Sequence, residues 1–569
     1  MLLSRLFKLL SAYFLVTVGL LPSFTARAAD GLADSGNAAA VAPGWDWSLP
    51  TGIKPVSYSG FITWGPKRLS PLLTVFGAHI KWKDLNPGPG QFNWKPMLDV
   101  IEKNRAAGMR TGIHLMGVER GVVPDWVIQQ SHAPVVDVPP LKESQPWRLQ
   151  TIPPWIPGVD KAFHDFLAAF GKTGIAQRDD VVYGYIHGIS ASRGEELYLR
   201  AKDIEMYEKV SGLTPQLFAD WLRRRVDAML TAFEGVEYKL AWMSQDNIGA
   251  GAEYKKTMND LWRYAIAHGT GIRGGGIDFQ HHLFTAPDWG SGVDANGYAF
   301  VDEANPTIAQ HRYRGDENEE YGKSWEWRFG PVEGHTYRNR ICWLRCLQMR
   351  QNFQMVSQET LALNPDMNEF VVMEQGRTPE DSPDAWAYLR ECQVGRDHPQ
   401  TVRNIERWLI QREVDGSRSV ATERVNRFPL SEDPKDINYD LDARRTDRAH
   451  GQDGLAFQLD KAFWRKPGPA VVKVTFTDRS SSASSAEGPT RWRLVTTNGK
   501  GRTVKSAWVE NTDDGQRKTA TFRIDDLAAG RRFPGQMDFR VVSEGPGDVT
   551  CTMVRVVKAN WNPRAEKAQ

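Results

Sequence analysis

Cysteine is scarce in this chain: four in 569 residues, at positions 342, 346, 392 and 551, with no C-x-x-C pair. A disulfide-built scaffold and a thiolate zinc ribbon are thereby excluded, since each needs several thiols at short spacing. A bridge from Cys342 or Cys346 to Cys392 and a set of buried free thiols stand as equal readings. An excess of charge is missing too. With 71 basic against 69 acidic side chains, a polyanionic partner such as nucleic acid is not expected, and a neutral substrate fits better. Past the N-terminus no run approaches the ~20 apolar residues of a membrane span. A phosphate-loop motif is also lacking; GIRGGGID at Gly271 reads as a tight lead-in to a strand. There is no internal repeat, and SSSASSAEG at Ser480 is the one low-complexity loop.

What is present starts with Met1 to Ala28: Arg5 and Lys8, an apolar run from Leu9 to Leu21, then the A-x-A pattern Ala26, Arg27, Ala28. This predicts a secretory signal peptide and a mature protein that is secreted or periplasmic. Residues 29–44 read as a linker. From 45 to 432, apolar runs alternate with helical stretches, the pattern of an α/β fold. The runs are SGFITWG at Ser59, LTVFGAHIKW at Leu73, RTGIHLMG at Arg110, VVYGYIHGIS at Val181, EYKLAWMSQ at Glu237, GGGIDFQHH at Gly274, TIAQHRYRG at Thr307 and EFVVMEQG at Glu369. YAFVD at Tyr298 competes for the seventh place. Helical spacing marks Met97 to Ala107, Thr214 to Phe233 and Tyr337 to Leu363. Eight strands with helical crossovers predict a (β/α)₈ TIM barrel. Residues 433–455 read as a polar linker, without the spacing of a calcium loop. Residues 456–560 hold short alternating runs, the pattern of an all-β sandwich.

In a parallel barrel the loops after the strands build the site, so acids at strand ends are singled out. Glu195 and Glu196 follow the fourth run, Glu317 and Glu319 follow the seventh in RGDENEEYG, and Glu374 lies within the eighth. Two carboxyls across a barrel mouth suit a glycosidic bond, one giving the leaving oxygen a proton and one attacking or shielding the anomeric carbon. The plain alternatives are acids complementing a helix dipole at Glu195 and Glu196, and a solvated turn at 315–322 paired with Arg312 and Arg314. A strand glutamate facing inward at 374 is costly unless paired or catalytic, which makes it the alternative nucleophile.

The segment WKDLNPGPGQFNW, Trp82 to Trp94, resembles the second-strand signature W-x-x-L-x-P-x-x-G-x-F-x-W of the retaining (β/α)₈-barrel glycoside hydrolase clan of β-galactosidases, endo-mannanases and cellulases. With the acids after strands four and seven, the likeness covers about Ser59 to Gly376. It implies Glu195 as acid/base, with Glu196 as substitute, and Glu317 as nucleophile, with Glu319 as substitute. Gly194 stands where that clan commonly has Asn, closer to a barrel family with a G-E-W type motif, and the subfamily is left open.

Tryptophan is abundant, 21 residues, several near strand ends. Aromatic faces pack against sugar C–H faces, so Trp82, Trp242 and Trp325 are placed nearest the sugar. His114, Gln245, Asp246, His281 and His282 are further substrate-binding candidates at strand ends. With Asp278 the histidines also admit a metal-dependent hydrolase, but no His-x-His or HExxH spacing supports one, and no metal or cofactor is expected. The expected protein is a secreted glycoside hydrolase acting on a poly- or oligosaccharide. The rival is a non-catalytic carbohydrate-binding or exopolysaccharide-assembly protein on the same barrel.

Overall fold

The computed structural model describes residues 39–64, 70–138, 149–186, 199–242, 251–276, 286–394, 398–425, 438–479, 490–544 and 547–561. Eight parallel strands form a nearly closed barrel: β1 Gly60–Thr63, β2 Leu73–Lys81, β3 Arg110–Met116, β4 Val181–Tyr185, β5 Leu240–Ala241, β6 Ile272–Arg273, β7 Arg314–Asn318 and β8 Phe353–Val356. Pairing runs from β5 back through β1 to β8, β7 and β6, and Gly271 N donates to Leu240 O at 2.7 Å across the remaining seam. Helices Lys95–Ala106, Pro157–Gly171, Pro215–Ala232, Ala252–Ala267 and His335–Gln348 cover the outside.

Period two along each strand sorts the side chains. Ile62, Val75, Tyr183, Tyr185, Tyr313, Phe353 and Met355 fill the barrel, while Phe61, Leu240 and Trp242 pack outward on the helices. Buried tyrosines need partners for their hydroxyls; Tyr185 and Tyr313 meet OH to OH at 2.7 Å. A Cβ on Gly112 would stand 1.9 Å from Cζ of Tyr183, so only glycine lets that ring lie across β3.

The last two strands differ from the sequence expectation. Thr307 opens no strand: Asn305 caps the short helix Pro306–Ala309, and β7 begins at Arg314, so the acids lie within and just after it. EFVVMEQG falls mostly in the helix Pro365–Glu374, whose Met367, Phe370, Val371 and Val372 are buried between barrel and sandwich while Asp366 and Glu369 stay exposed. The eighth strand is Phe353–Val356, inside the stretch read as one long helix. YAFVD forms a hairpin strand, Ala299–Val301.

Two antiparallel sheets make the sandwich, around Leu409, Phe457, Val472, Trp492, Leu494 and Val554. Its strands begin at Asp384 rather than near 456, and the stretch read as a linker at 433–455 carries strand Asn438–Arg445, paired with Asp384–Val394. Ala40–Pro43, also read as linker, forms an edge strand on Arg517–Leu527. All four cysteines are buried thiols, and Cys346 Sγ donates to Gln354 Oε1 at 3.0 Å. No helix among the described residues is long and apolar enough to cross a membrane.

Candidate active site

The C-terminal ends of the strands carry a continuous band of interior side chains. Trp64, just past β1, stacks on His79 of β2 at 4.8 Å and meets the edge of His114 of β3 at 4.4 Å. His114 contacts Tyr185 of β4 at 4.3 Å, and its Nε2 lies 3.1 Å from the Tyr183 hydroxyl. The Arg273 guanidinium of β6 sits 4.8 Å over the Tyr185 ring and forms an ion pair with Glu317 of β7. Trp64 Nε1 donates to Met355 Sδ of β8 at 3.1 Å, which closes the ring.

Alternation along β7 decides which acid faces inward. Tyr313, Gly315 and Glu317 point into the barrel, whereas Asp316 is turned away and accepts from Gly276 N at 2.7 Å and Glu317 N at 2.9 Å. Glu317 keeps 15 % of its side chain exposed. An ion pair holds a carboxylate in its charged form, which suits attack or charge stabilisation rather than proton donation. Glu319 lies in the loop beyond, half-buried, where its carbonyl accepts from Ser357 Oγ at 3.3 Å. Arg312 and Arg314 do not pair with these acids: their guanidiniums point away and bond to carbonyls and neutral side chains.

Glu374 is not at the mouth. It ends the helix Pro365–Glu374, fully buried, with Oε2 3.0 Å from Arg407 Nη1 and accepting from Ser382 Oγ at 3.0 Å. Burial, helped by Asp384, pushes its carboxyl up to about 7 against the pull of Arg407.

The tryptophans divide. Trp82 is fully buried in the helix Trp82–Leu85, its Nε1 donating to Asn86 Oδ1 at 3.2 Å and its ring standing perpendicular to that of Phe163 at 4.9 Å. Trp242 is also fully buried, on the outward face past β5, with its carbonyl accepting from Trp262 Nε1 at 3.1 Å. Both belong to the helix-facing core, so neither meets a sugar. Trp325 stays in the loop after β7, half-buried, and stacks at 6.3 Å on Trp327, which is 69 % exposed. His114 lies inside the barrel, buried, as part of the band. Glu195, Glu196, Gln245, Asp246, His281 and His282 lie outside the described residues, as does Asp278.

Sequence reasoning missed Arg273 and Tyr185. The signal for Arg273 is a lone charge in the small and apolar run GIRGGGI, which a barrel strand buries only beside a partner. Also missed is Glu119, half-buried in the loop after β3, its carboxyl raised by burial with Lys81 of β2 opposing. Burial lowers the His79 imidazole in turn. Among the described residues no three or more His, Cys, Asp or Glu side chains gather as metal ligands would.

No family model and no curated relative matches this chain. Among solved structures it is similar to a trimodular endoglucanase of the GH5_4 subfamily, 8 % identical over 84 % of this chain and 90 % of that one, at a TM-score of 0.26. It is also similar to the full-length tri-modular endo-β-1,4-glucanase B from Bacillus halodurans, 6 % identical over 86 % and 91 %, at a TM-score of 0.27. Likenesses this faint describe those two proteins; the barrel of this chain rests on its own strand pairings.

Proposed function

We propose that this chain is a glycoside hydrolase that cleaves an extracellular poly- or oligosaccharide by double displacement, exported by the segment Met1 to Ala28. The observation that carries the reading is Glu317, inward-facing at the C-terminal end of β7, ion-paired to Arg273 and partly open to solvent. A Glu317 oxygen attacks the anomeric carbon as the glycosidic C–O bond breaks, and the leaving oxygen takes its proton from Glu195, with Glu196 as substitute. Water then attacks the glycosyl ester, gives its proton to the same Glu195 carboxylate, and releases Glu317. In the sequence Glu195 and Glu196 follow β4, whose last residue, Tyr185, lies under Arg273. The Trp325–Trp327 stack beside β7 offers an aromatic face to the sugar chain.

Release of reducing ends from a panel of polysaccharides tests this. Glu317→Gln is expected to lower turnover by about 10⁴-fold or more, and Glu195→Gln by about 10² to 10⁴-fold, with the fold intact. Undiminished turnover in Glu317→Gln would overturn the assignment. Glycan retention by the parent chain without new reducing ends would make it a binding protein.

A further inference from the structure

At the end of the barrel opposite Glu317, where β7 and β8 begin, two cavities of about 340 and 410 Å³ lie in the seam between barrel and sandwich. Glu303, Arg350, Trp408 and Asp460 form a wall common to both. Arg312, Arg314 and Arg377 line the smaller one.

The charge in that wall is lopsided. Arg312 donates to the Gln310 side chain and the carbonyls of Ile266 and Thr270. Arg314 donates to Thr307 and the carbonyls of Trp289 and Met349, and Arg377 to those of Met373, Asp381 and Lys54. None of these acceptors is a carboxylate. Among the nearby acids, Glu303 is taken by Arg350, Glu380 by Arg465, and Asp460 accepts from the backbone of its own turn. Three guanidiniums, each between 1 % and 6 % exposed, thus share one cavity, and none of them has a hydrogen bond to a carboxylate among the described residues. Burial, with Arg350 adding to it and Glu303 opposing, pushes Arg314 down to about 9. A buried charge that no carboxylate bonds directly is costly.

Two further observations fall on the same wall. His311, Arg350 and Trp408 all hold left-handed backbone, with φ of 49°, 59° and 56°. Non-glycine residues rarely adopt it, and such positions gather where a ligand is held. Trp408 is 6 % exposed and packs under both Arg350 and Arg407, and its indole N–H has no acceptor among the described residues.

We infer that this seam cavity binds a small oxyanion, the carboxylate of an acidic sugar or inorganic phosphate, against Arg312, Arg314 and Arg377. The guanidinium fork matches both anions. Arg377 engages Nε, Nη1 and Nη2 once each, which leaves N–H groups of its five to donate. The site is separate from the barrel mouth and holds whether or not Glu317 is a nucleophile.

Thermal unfolding of the full chain in sodium phosphate or sodium glucuronate, against sodium chloride at matched ionic strength, tests the inference. A saturable rise in Tm is expected, and whichever anion binds tighter identifies the source. Ala309→Glu adds a negative charge at the exposed rim without removing a bond, and Ala462→Glu does so from the sandwich side. Each is expected to weaken anion binding by about tenfold or more while keeping the anion-free Tm, and Glu317→Gln to bind as the parent does. If one of the two carboxylate variants unfolds, the other decides. No rise beyond chloride, or undiminished anion affinity in a folded carboxylate variant, would overturn the site.

Discussion

Glu317 and Glu374 are each held by an arginine, and the surroundings of each pair separate their chemistry. Glu317 beside Arg273 keeps access to solvent, so its charge is both stabilised and reachable. Glu374 and Arg407 are 0 % and 1 % exposed, and burial raises the carboxyl from 4.5 to about 7 while lowering Arg407 to about 10. A carboxyl that holds its proton more tightly folded than unfolded adds stability that is full below pH 4.5 and is lost as the pH rises through about 7. Glu374→Gln stays neutral at every pH. It is therefore expected to gain stability relative to the parent chain between about pH 5 and about pH 8, read from urea midpoints. A difference that does not change with pH would show that the pair is ionised throughout. At the mouth, Trp327→Ala removes an exposed ring that stacks on Trp325. A higher KM for polysaccharide with kcat and Tm unchanged is expected, and an unaltered KM would remove that ring from the substrate path.

At the scale of the element, β3 and β4 fit through one glycine. Gly112→Ala drives a methyl group into the Tyr183 ring, and overpacking of this kind costs about 1 to 3 kcal/mol. Chemical denaturation should show that loss, and Tyr183→Ala in the same background should recover part of it; a neutral Gly112→Ala would mean that the ring swings aside freely. The strands of this half were legible because alternation and flanking turn residues agree: β2 and β3 start at the Leu73 and Arg110 read from the sequence. β8 was not, because four residues, FQMV, sit between two helices and are buried on both faces, which leaves no period to read. The helix Pro365–Glu374 passes for a strand because its exposed Asp366 and Glu369 precede an unbroken apolar run, Phe370 to Met373, and a short apolar run alone does not tell helix from strand. Glu317 was legible as an acid at a strand end. Arg273 as its partner was not, since only the register of the pair, Gly315 opposite Arg273, brings that guanidinium to Glu317. Trp82 and Trp242 were assigned to the sugar because nearness to a strand end does not tell inward from outward. Period two does: Trp242 shares the outer face with Leu240, and Ala241 faces in.

At the scale of the molecule, the barrel is threaded into the sandwich. The edge strand Ala40–Pro43 precedes the barrel, the other strands follow it from Asp384, and the chain therefore crosses the seam on both sides. Trp343 and Phe370 of the barrel helices pack with Trp386, Tyr388 and Met553 of the sandwich. Glu374 of the last barrel helix pairs with Arg407 of a sandwich strand at 3.0 Å, and Lys473 of the sandwich reaches Asp46, just ahead of the barrel, at 2.9 Å. Two domains joined by a small polar contact move and unfold separately, but an apolar interface with ion pairs across it couples them. Burial and the nearby Arg555 push Lys473 down to about 8, with Asp46 opposing, so Asp46→Asn leaves a buried cation short of its partner. Calorimetry of the parent chain is expected to give a single transition with equal van't Hoff and calorimetric enthalpies, and Asp46→Asn to lower that transition without splitting it. Two resolved transitions in the parent would show that the seam does not couple the halves. Its arginine-lined cavity would then open before either half had unfolded.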